Sequence, residues 1–344
     1  MTGDGMNHID VIERKNKQGS LIDFDVAVDG KALPKLLDFL TNNSPDEKLN
    51  SFLKPFSDLM PAWSYDIDFE GDIRFVWNVL NMDKAPVPLF LCEEDADFSC
   101  IVIVVDVEKT EDFVYWNRIG YVNHDNENLD DEIRRGILYT ETYTDEDWEK
   151  YGDNIALEEI GSDKWHKWIG ENWSEELFRR RINYTLPYYK AEGNVTWFLE
   201  TDWEFDRLEY DSMLKKYLTM QRLKRADYYL NTSKDKMTPT VFAKVAASFL
   251  PDGEKILEEH YKDYGEVLLH VLASEAITEP FIDLVKDKRS SDHELDLYLK
   301  ALKLMLQNGD EDVLNALNVT VYERLCDEKE AFLKRGINIA ALIP

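Results

Sequence analysis

The chain has 344 residues, 44% of them hydrophobic, with nine Trp, seventeen Tyr and sixteen Phe. That is enough apolar mass for globular cores, which excludes disorder over most of the length, and the length sets a prior of two domains. A formal net charge of −29 repels nucleic acid and anionic membrane surfaces, so neither is an expected partner.

Residues 1–20 are polar and read as a flexible arm with no apolar signal region. Leu21 to Val28 is the first clear strand, with Ile22, Phe24, Val26 and Val28 alternating against Asp23, Asp25 and Ala27. Asp29-Gly30 turns the chain into a helix over about Leu33 to Leu40. Ser44-Pro45-Asp46-Glu47 is a helix-start signal, with Ser44 as cap, Pro45 in the first helical position and Glu47 closing the capping box. Tyr65, Ile67 and Phe69 alternate with Asp66 and Asp68. After Glu70-Gly71-Asp72 a second alternation runs through Ile73, Phe75, Trp77 and Val79. This predicts a hairpin about Gly71 with Asp68 and Arg74 as neighbours on its wet face. Pro86 and Pro88 push the next strand, Val87 to Leu91, toward a sheet edge.

An acidic loop, CEEDADF, then leads into Phe98 to Val122, the stretch around which the chain is organised. Ile101 to Val105 is an unbroken β-branched apolar run. Phe113 to Val122 is a second β-rich run with apolar residues on both alternation sets, and the link Glu108 to Asp112 is polar. A hairpin apolar on both faces belongs at the centre of a covered sheet. Beyond it, NHDNENLDDE reads as loop, Gly136 to Tyr143 as a further strand, and Thr144-Asp145-Glu146-Asp147 as the start of a short acidic helix. Ser162 to Tyr184 reads as two helical pieces and Val195 to Leu199 as the closing strand. Leu214 to Lys236 is a locally basic connecting helix, broken at Asn231-Thr232-Ser233, and the boundary is expected near 232–238. From there the pattern is helical throughout. Helices are expected over 239–249, 253–261, 264–275, 280–288, 292–307, 311–326 and 328–335, with short links implying antiparallel packing.

The charge is unevenly placed. From Asp211 onward 23 acids face 19 bases, which leaves 46 acids against 21 bases in residues 1–210, a net of −25 there. Such a field steers basic partners, although acidity also serves solubility alone. Arg179-Arg180-Arg181 stands out in this acidic half. Its simplest role is to compensate local acids or a helix C-terminus, ahead of a phosphate site.

No GxSxG, GxxxxGK[ST], HExxH or GxGxxG motif is present. The six histidines are scattered, and His260 and His270 lack metal-ligand spacing. Cys92, Cys100 and Cys326 form no CxxC pair, and Cys100 reads as a buried, inert thiol in the core strand. No cofactor is therefore expected. The repeated placement of Trp beside carboxylates, in DEDWEKYG, DKWHKW, ENW and TDWEF, has two readings. One is buried indoles flanked by solvated acids; the other is an interface of aromatic anchors and carboxylates for a basic partner.

FVYWNRIGYVNH, YTDEDWEKYGDNIALE and WSEELFRRRINYTLPYY together resemble a group of bacterial proteins treated as immunity proteins of polymorphic toxin systems. The segments HYKDYGEVLLHVL and QNGDEDVLNALNVTVYERL are similar to a helical domain recurring among them. The resemblance implies a cytoplasmic, non-enzymatic inhibitor that binds a cognate toxin; it assigns no residue a role.

The combined expectation is an α+β protein. An acidic domain over 21–210, with a mainly antiparallel sheet and flanking helices, is followed by a connecting segment over 211–237 and an all-α domain over 238–344. The expected function is toxin neutralisation through Glu93, Glu94, Asp95 and Asp97, and through Asp145, Glu146, Asp147 and Trp148. Both groups lie in predicted loops or helix starts, where side chains are free to meet a partner. An enzyme with an unrecognised site and an acidic regulatory adaptor remain open.

Overall fold

The computed structural model describes residues 6–123, 135, 174–232 and 236–341. Part of the expected flexible arm is a strand: β1 (Ile9–Lys15) pairs antiparallel with β2 (Leu21–Val28). The polar sequence is ordered here by what lies opposite it. Ile9 and Val11 are buried, and the Arg14 guanidinium donates to the carbonyls of Leu59 (2.7 Å) and Ser57 (2.9 Å). The Ile9 amide donates to the Glu209 carboxylate at 3.0 Å. These partners lie up to 200 residues away, so local sequence does not display them.

The β2 strand has the predicted bounds, but both of its faces are covered, because Asp23 and Asp25 are buried with Phe24 and Val26. Asp29 (φ 50°) and Gly30 (φ 74°) both take left-handed conformations, as a tight hairpin turn requires. The turn leads through β3 (Lys31–Ala32) into α1 (Leu33–Leu40). The next helical turn starts later than the capping signal suggests. Asp46, not Ser44, accepts the Leu49 amide (3.0 Å), while Ser44 accepts the amide of Asp46.

After β4 (Met60–Pro61), the chain departs from the predicted hairpin. Residues 70–80 form helix α2 (Glu70–Leu80). The same residues satisfy a 3.6-residue period, since Ile73, Val76 and Leu80 recur on one side with Phe75 and Val79 beside them, all buried. Asp68 and Arg74 are thus no cross-strand pair; the Arg74 guanidinium sits 4.5 Å from the Phe178 ring centroid.

Three long strands follow: β5 (Lys84–Leu91), β6 (Val102–Lys109) and β7 (Phe113–Val122). With β4 and β8 (Val195–Asp206), they form an antiparallel sheet in the order β4-β5-β6-β7-β8. The central hairpin is therefore at the middle of the sheet, with Ile103, Val104 and Val105 fully buried. Its turn is shorter than predicted, because β6 runs on to Lys109. Pro86 and Pro88 lie opposite Asp106 and Val104 of β6, in a stretch of β5 that has no strand on its other flank, since β4 pairs only with Phe90 and Leu91. There the Trp63 indole donates to the Pro88 carbonyl (2.7 Å). Trp116 anchors the interior, with ring centroids 6.3 Å from Trp63, 5.5 Å from Phe205 and 6.4 Å from Tyr210. The DWEF segment accordingly splits. Phe205 is core, and Trp203, half-buried between two acids, packs against Trp116 at 6.1 Å.

Helix α3 (Ser174–Arg180) continues through a wide turn (Arg181–Thr185) into α4 (Leu186–Lys190). Helix α5 (Arg207–Thr232) is longer than the predicted connecting helix and begins earlier, where Asp206 caps it by accepting the Glu209 amide (2.9 Å). The chain forms two compact units, Met1–Leu214 and Lys215–Pro344, and the division falls within α5. Tyr210 belongs to the aromatic core of the first unit, and Ala226 to the core of the second.

The second unit is helical among its described residues. Its helices run Pro239–Phe249, Gly253–Tyr264, Leu269–Lys286 (with a wide turn at Ser274–Thr278), Asp292–Asn308, Glu311–Asp327 (with another at Leu317–Tyr322) and Lys329–Lys334. Thr238, Ser291 and Asp310 cap three of them, Ser291 in a reciprocal capping box with Glu294. Around Phe281, Leu302 and Met305 one apolar core is closed. The fold is thus α+β, an antiparallel sheet with helices followed by a helical unit. Among the described residues no helix is long and apolar enough to cross a membrane.

Candidate functional site

The loop 92–100 joins β5 to β6, and its base is set by the register of that pair. Leu91 lies opposite Val102, and one residue further on the Cys92 amide donates to the Ile101 carbonyl (3.2 Å). Ala96 closes a tight turn by donating its amide to the Cys92 carbonyl (3.0 Å), with its own backbone in the left-handed region (φ 47°). A non-glycine residue held there costs of order 1 kcal/mol and persists only where the surroundings fix it. They do so here, because the Ala96 carbonyl accepts the Asp68 amide (3.2 Å).

The end of the loop is a plug. Phe98 is fully buried and meets Phe75 edge-on, with centroids 5.3 Å apart. Above Phe98, at 5.2 Å, lies the Arg181 guanidinium. Arg181 and Asp72 are both wholly buried; Nε lies 2.7 Å from Oδ1 and Nη2 3.4 Å from Oδ2. The remaining nitrogen, Nη1, donates to the Arg135 carbonyl (2.8 Å). Burial raises the Asp72 carboxyl above its ordinary value against the pull of Arg181, and the charges of Asp97 and Asp68 push it the same way as burial. The basic triplet of the acidic half thus places its third member in the core.

This frame sorts the predicted contact residues. Glu93, Glu94 and Asp95 are exposed on the loop, and the amide of the exposed Asp68 donates to the Ala96 carbonyl that follows them. Asp97 is not available to a partner as expected. It is buried at 5% exposure, and its carboxylate accepts the Ser99 amide (2.8 Å) and the Ser99 hydroxyl (2.6 Å). A carboxylate that ties its own loop is a positioning group. Asp145, Glu146, Asp147 and Trp148 lie outside the described residues.

The cysteines also depart from expectation. Cys100 precedes the core strand and is only partly buried, as is Cys92. The antiparallel register brings them together at the base of the loop, beside Asp95. His260 and His270 stay apart in function. His260 is buried between Glu275 (3.1 Å) and the Leu268 amide (3.1 Å), and His270 lies 2.6 Å from the Thr320 hydroxyl.

Comparison with protein-family models, curated proteins and solved structures gives no match to this chain.

Proposed function

We propose that the protein is a non-enzymatic inhibitor that neutralises a basic protein partner, a cognate toxin, from the cytoplasmic side. The observation that supports this reading best is the loop 93–95. Three exposed carboxylates stand on a rigid base, in a half of the chain with a net charge of −25. An anchored acidic loop meets a basic cleft without first losing conformational entropy, and the surrounding field raises the encounter rate. The resemblance to immunity proteins points the same way. In this reading Glu93, Glu94 and Asp95 meet the partner, Asp97 and Phe98 hold the loop, and no bond is made or broken.

The test is a titration with a purified basic toxin domain taken from a gene found next to the one for this protein, at low and at high salt. The association rate should fall steeply as the Debye length shrinks to about 8 Å and below, while dissociation changes less. Charge reversal at Glu93, Glu94 and Asp95 together should slow association in the same way and leave the thermal melt nearly unchanged. Tight binding indifferent to salt and to these reversals removes the acidic loop from the interface. Absence of both binding and neutralisation removes the inhibitor reading altogether.

A further inference from the structure

The strongest unassigned chemistry lies at the base of this loop. Cys92 Sγ, a carboxylate oxygen of Asp95 and Cys100 Sγ all lie within 4.8 Å of one another. Among the described residues no other set of His, Cys, Asp and Glu donors converges this closely. We propose that Cys92, Asp95 and Cys100 form a binding site for a borderline-soft divalent cation of the zinc type, with water completing a four-coordinate shell.

Two features carry the proposal. The first is the donor set: two thiols and one carboxylate suit zinc, whereas calcium and magnesium take oxygen donors throughout. The second is geometry. Zinc–sulfur bonds near 2.3 Å and zinc–oxygen bonds near 2.0 Å place tetrahedral donors about 3.5–3.8 Å apart. A contraction of about an ångström at most therefore closes the set, and the two sulfurs come from segments already locked by the β5–β6 register. Asp95 is exposed and gives an entry path from solvent.

Binding would proceed as M²⁺ plus two thiols and one carboxylate giving the bis-thiolate, mono-carboxylate complex and two protons released to solvent. Affinity should therefore rise with pH. The site shares Asp95 with the proposed contact loop, but Cys92 and Cys100 are outside that contact set, so cation binding in the absence of any partner reads the site separately from neutralisation.

The test uses the full-length, untagged, reduced protein titrated with Co²⁺ as a spectroscopic substitute for zinc, followed by back-titration with Zn²⁺. The expected result is one equivalent bound with thiolate-to-cobalt charge-transfer absorption, displaced by zinc. Cys92→Ser and Cys100→Ser should each weaken binding at least about a hundredfold, since even outer-shell partners are worth 10–100-fold. Asp95→Asn should weaken it less, and Cys326→Ser, an exposed cysteine, should leave it unchanged. In case a serine variant fails to fold, the unaltered protein supplies a second readout. One equivalent of Zn²⁺ should protect Cys92 and Cys100 from alkylation while Cys326 reacts. No charge-transfer band, a band that survives in Cys92→Ser and Cys100→Ser, or alkylation of all three cysteines at the same rate with and without zinc overturns the proposal.

Discussion

Replacing Arg181 with Met removes one partner of a wholly buried ion pair while keeping most of the side-chain volume. In the native protein the Asp72 carboxylate is held by two nitrogens of Arg181, at 2.7 and 3.4 Å, with no exposure on either side. The variant leaves that carboxylate without its counter-charge and deprives the Arg135 carbonyl of a donor at 2.8 Å. Breaking one side of a buried pair costs about 3–5 kcal/mol. All nine Trp lie in residues 63–203, within the first unit. Tryptophan fluorescence in a urea melt therefore reads this unit alone. The effect should also depend on pH in a defined direction. Burial already raises the Asp72 carboxyl, and Arg181 is the main group opposing that rise. A carboxyl raised in the folded state contributes its stability below the unfolded value and loses it as pH rises through the folded value. Without Arg181 the folded value climbs further, so the variant should lose less at about pH 5 than at about pH 8. Asp72→Asn in the same chain should recover part of the loss at the higher pH. A destabilisation under about 1 kcal/mol, or one identical at both pH values, refutes the claim that Arg181 is the buried counter-charge of Asp72.

Three further substitutions test the five-stranded sheet and the separate β1–β2–β3 sheet, all read by the same fluorescence melt. Ile103→Ala, in the middle of β6 and fully buried, should cost about 2–5 kcal/mol; a loss of a few tenths would make the hairpin peripheral. Gly120→Ala would place a methyl 2.6 Å from the Thr196 carbonyl oxygen and 2.7 Å from Val195 Cγ1, so β7 and β8 must part locally at a cost of about 1–3 kcal/mol. A neutral outcome would mean that the close approach at this bulge is absent in solution. Asp25 is pushed up, chiefly by burial and in part by Asp23, from 3.8 to about 6, against the pull of Arg14. Its contribution is present below the ordinary value and lost as pH climbs through about 6. Asp25→Asn should therefore gain on the native protein between about pH 4 and pH 7, by at most about 3 kcal/mol, and a constant difference across that range would show Asp25 titrating normally.

How far the fold could be read from the chain depended on where each element's determinants lie. Thr238-Pro239, Ser291 with Glu294, and Asn308-Gly309 act on their own neighbours, so the bounds of the helices they flank were legible to within a few residues, whereas the helices expected over 264–275 and 280–288 are one continuous element, Leu269–Lys286. Leu21 to Val28 and Phe113 to Val122 were legible for a similar reason, because their alternation is intrinsic. Residues 70–80 were not. Ile73, Phe75, Trp77 and Val79 satisfy a period of two, while Ile73, Val76 and Leu80 satisfy one of 3.6. What distinguishes them is the Asp72–Arg181 pair, 109 residues apart in sequence. In a hairpin, Asp72 would lie in the turn, in water; at the first turn of α2 it meets Arg181 in the core. The strand β1 was hidden in the same way, since its reason to be ordered lies in β2, Leu59 and Glu209.

At the candidate site, sequence proximity predicted the loop but not the direction of its side chains. Glu93 and Asp97 look equivalent in CEEDADF, yet one is exposed and the other buried. The difference comes from Ala96, whose left-handed backbone reverses the chain between them, and from Phe98, which draws the following residues inward. An alanine carries no signal for φ > 0 of the kind that glycine or asparagine would give. The cysteines show the converse error. A search for CxxC spacing treats ligands as neighbours along the chain, whereas Cys92 and Cys100 are eight residues apart and converge across an antiparallel pair. The usable signal was the strand prediction itself. Once 87–91 and 101–105 are paired through a loop, the residues flanking that loop must face each other at its base. Two cysteines in those positions, with an acid between them, are then a juxtaposition imposed by the sheet and not a coincidence of spacing.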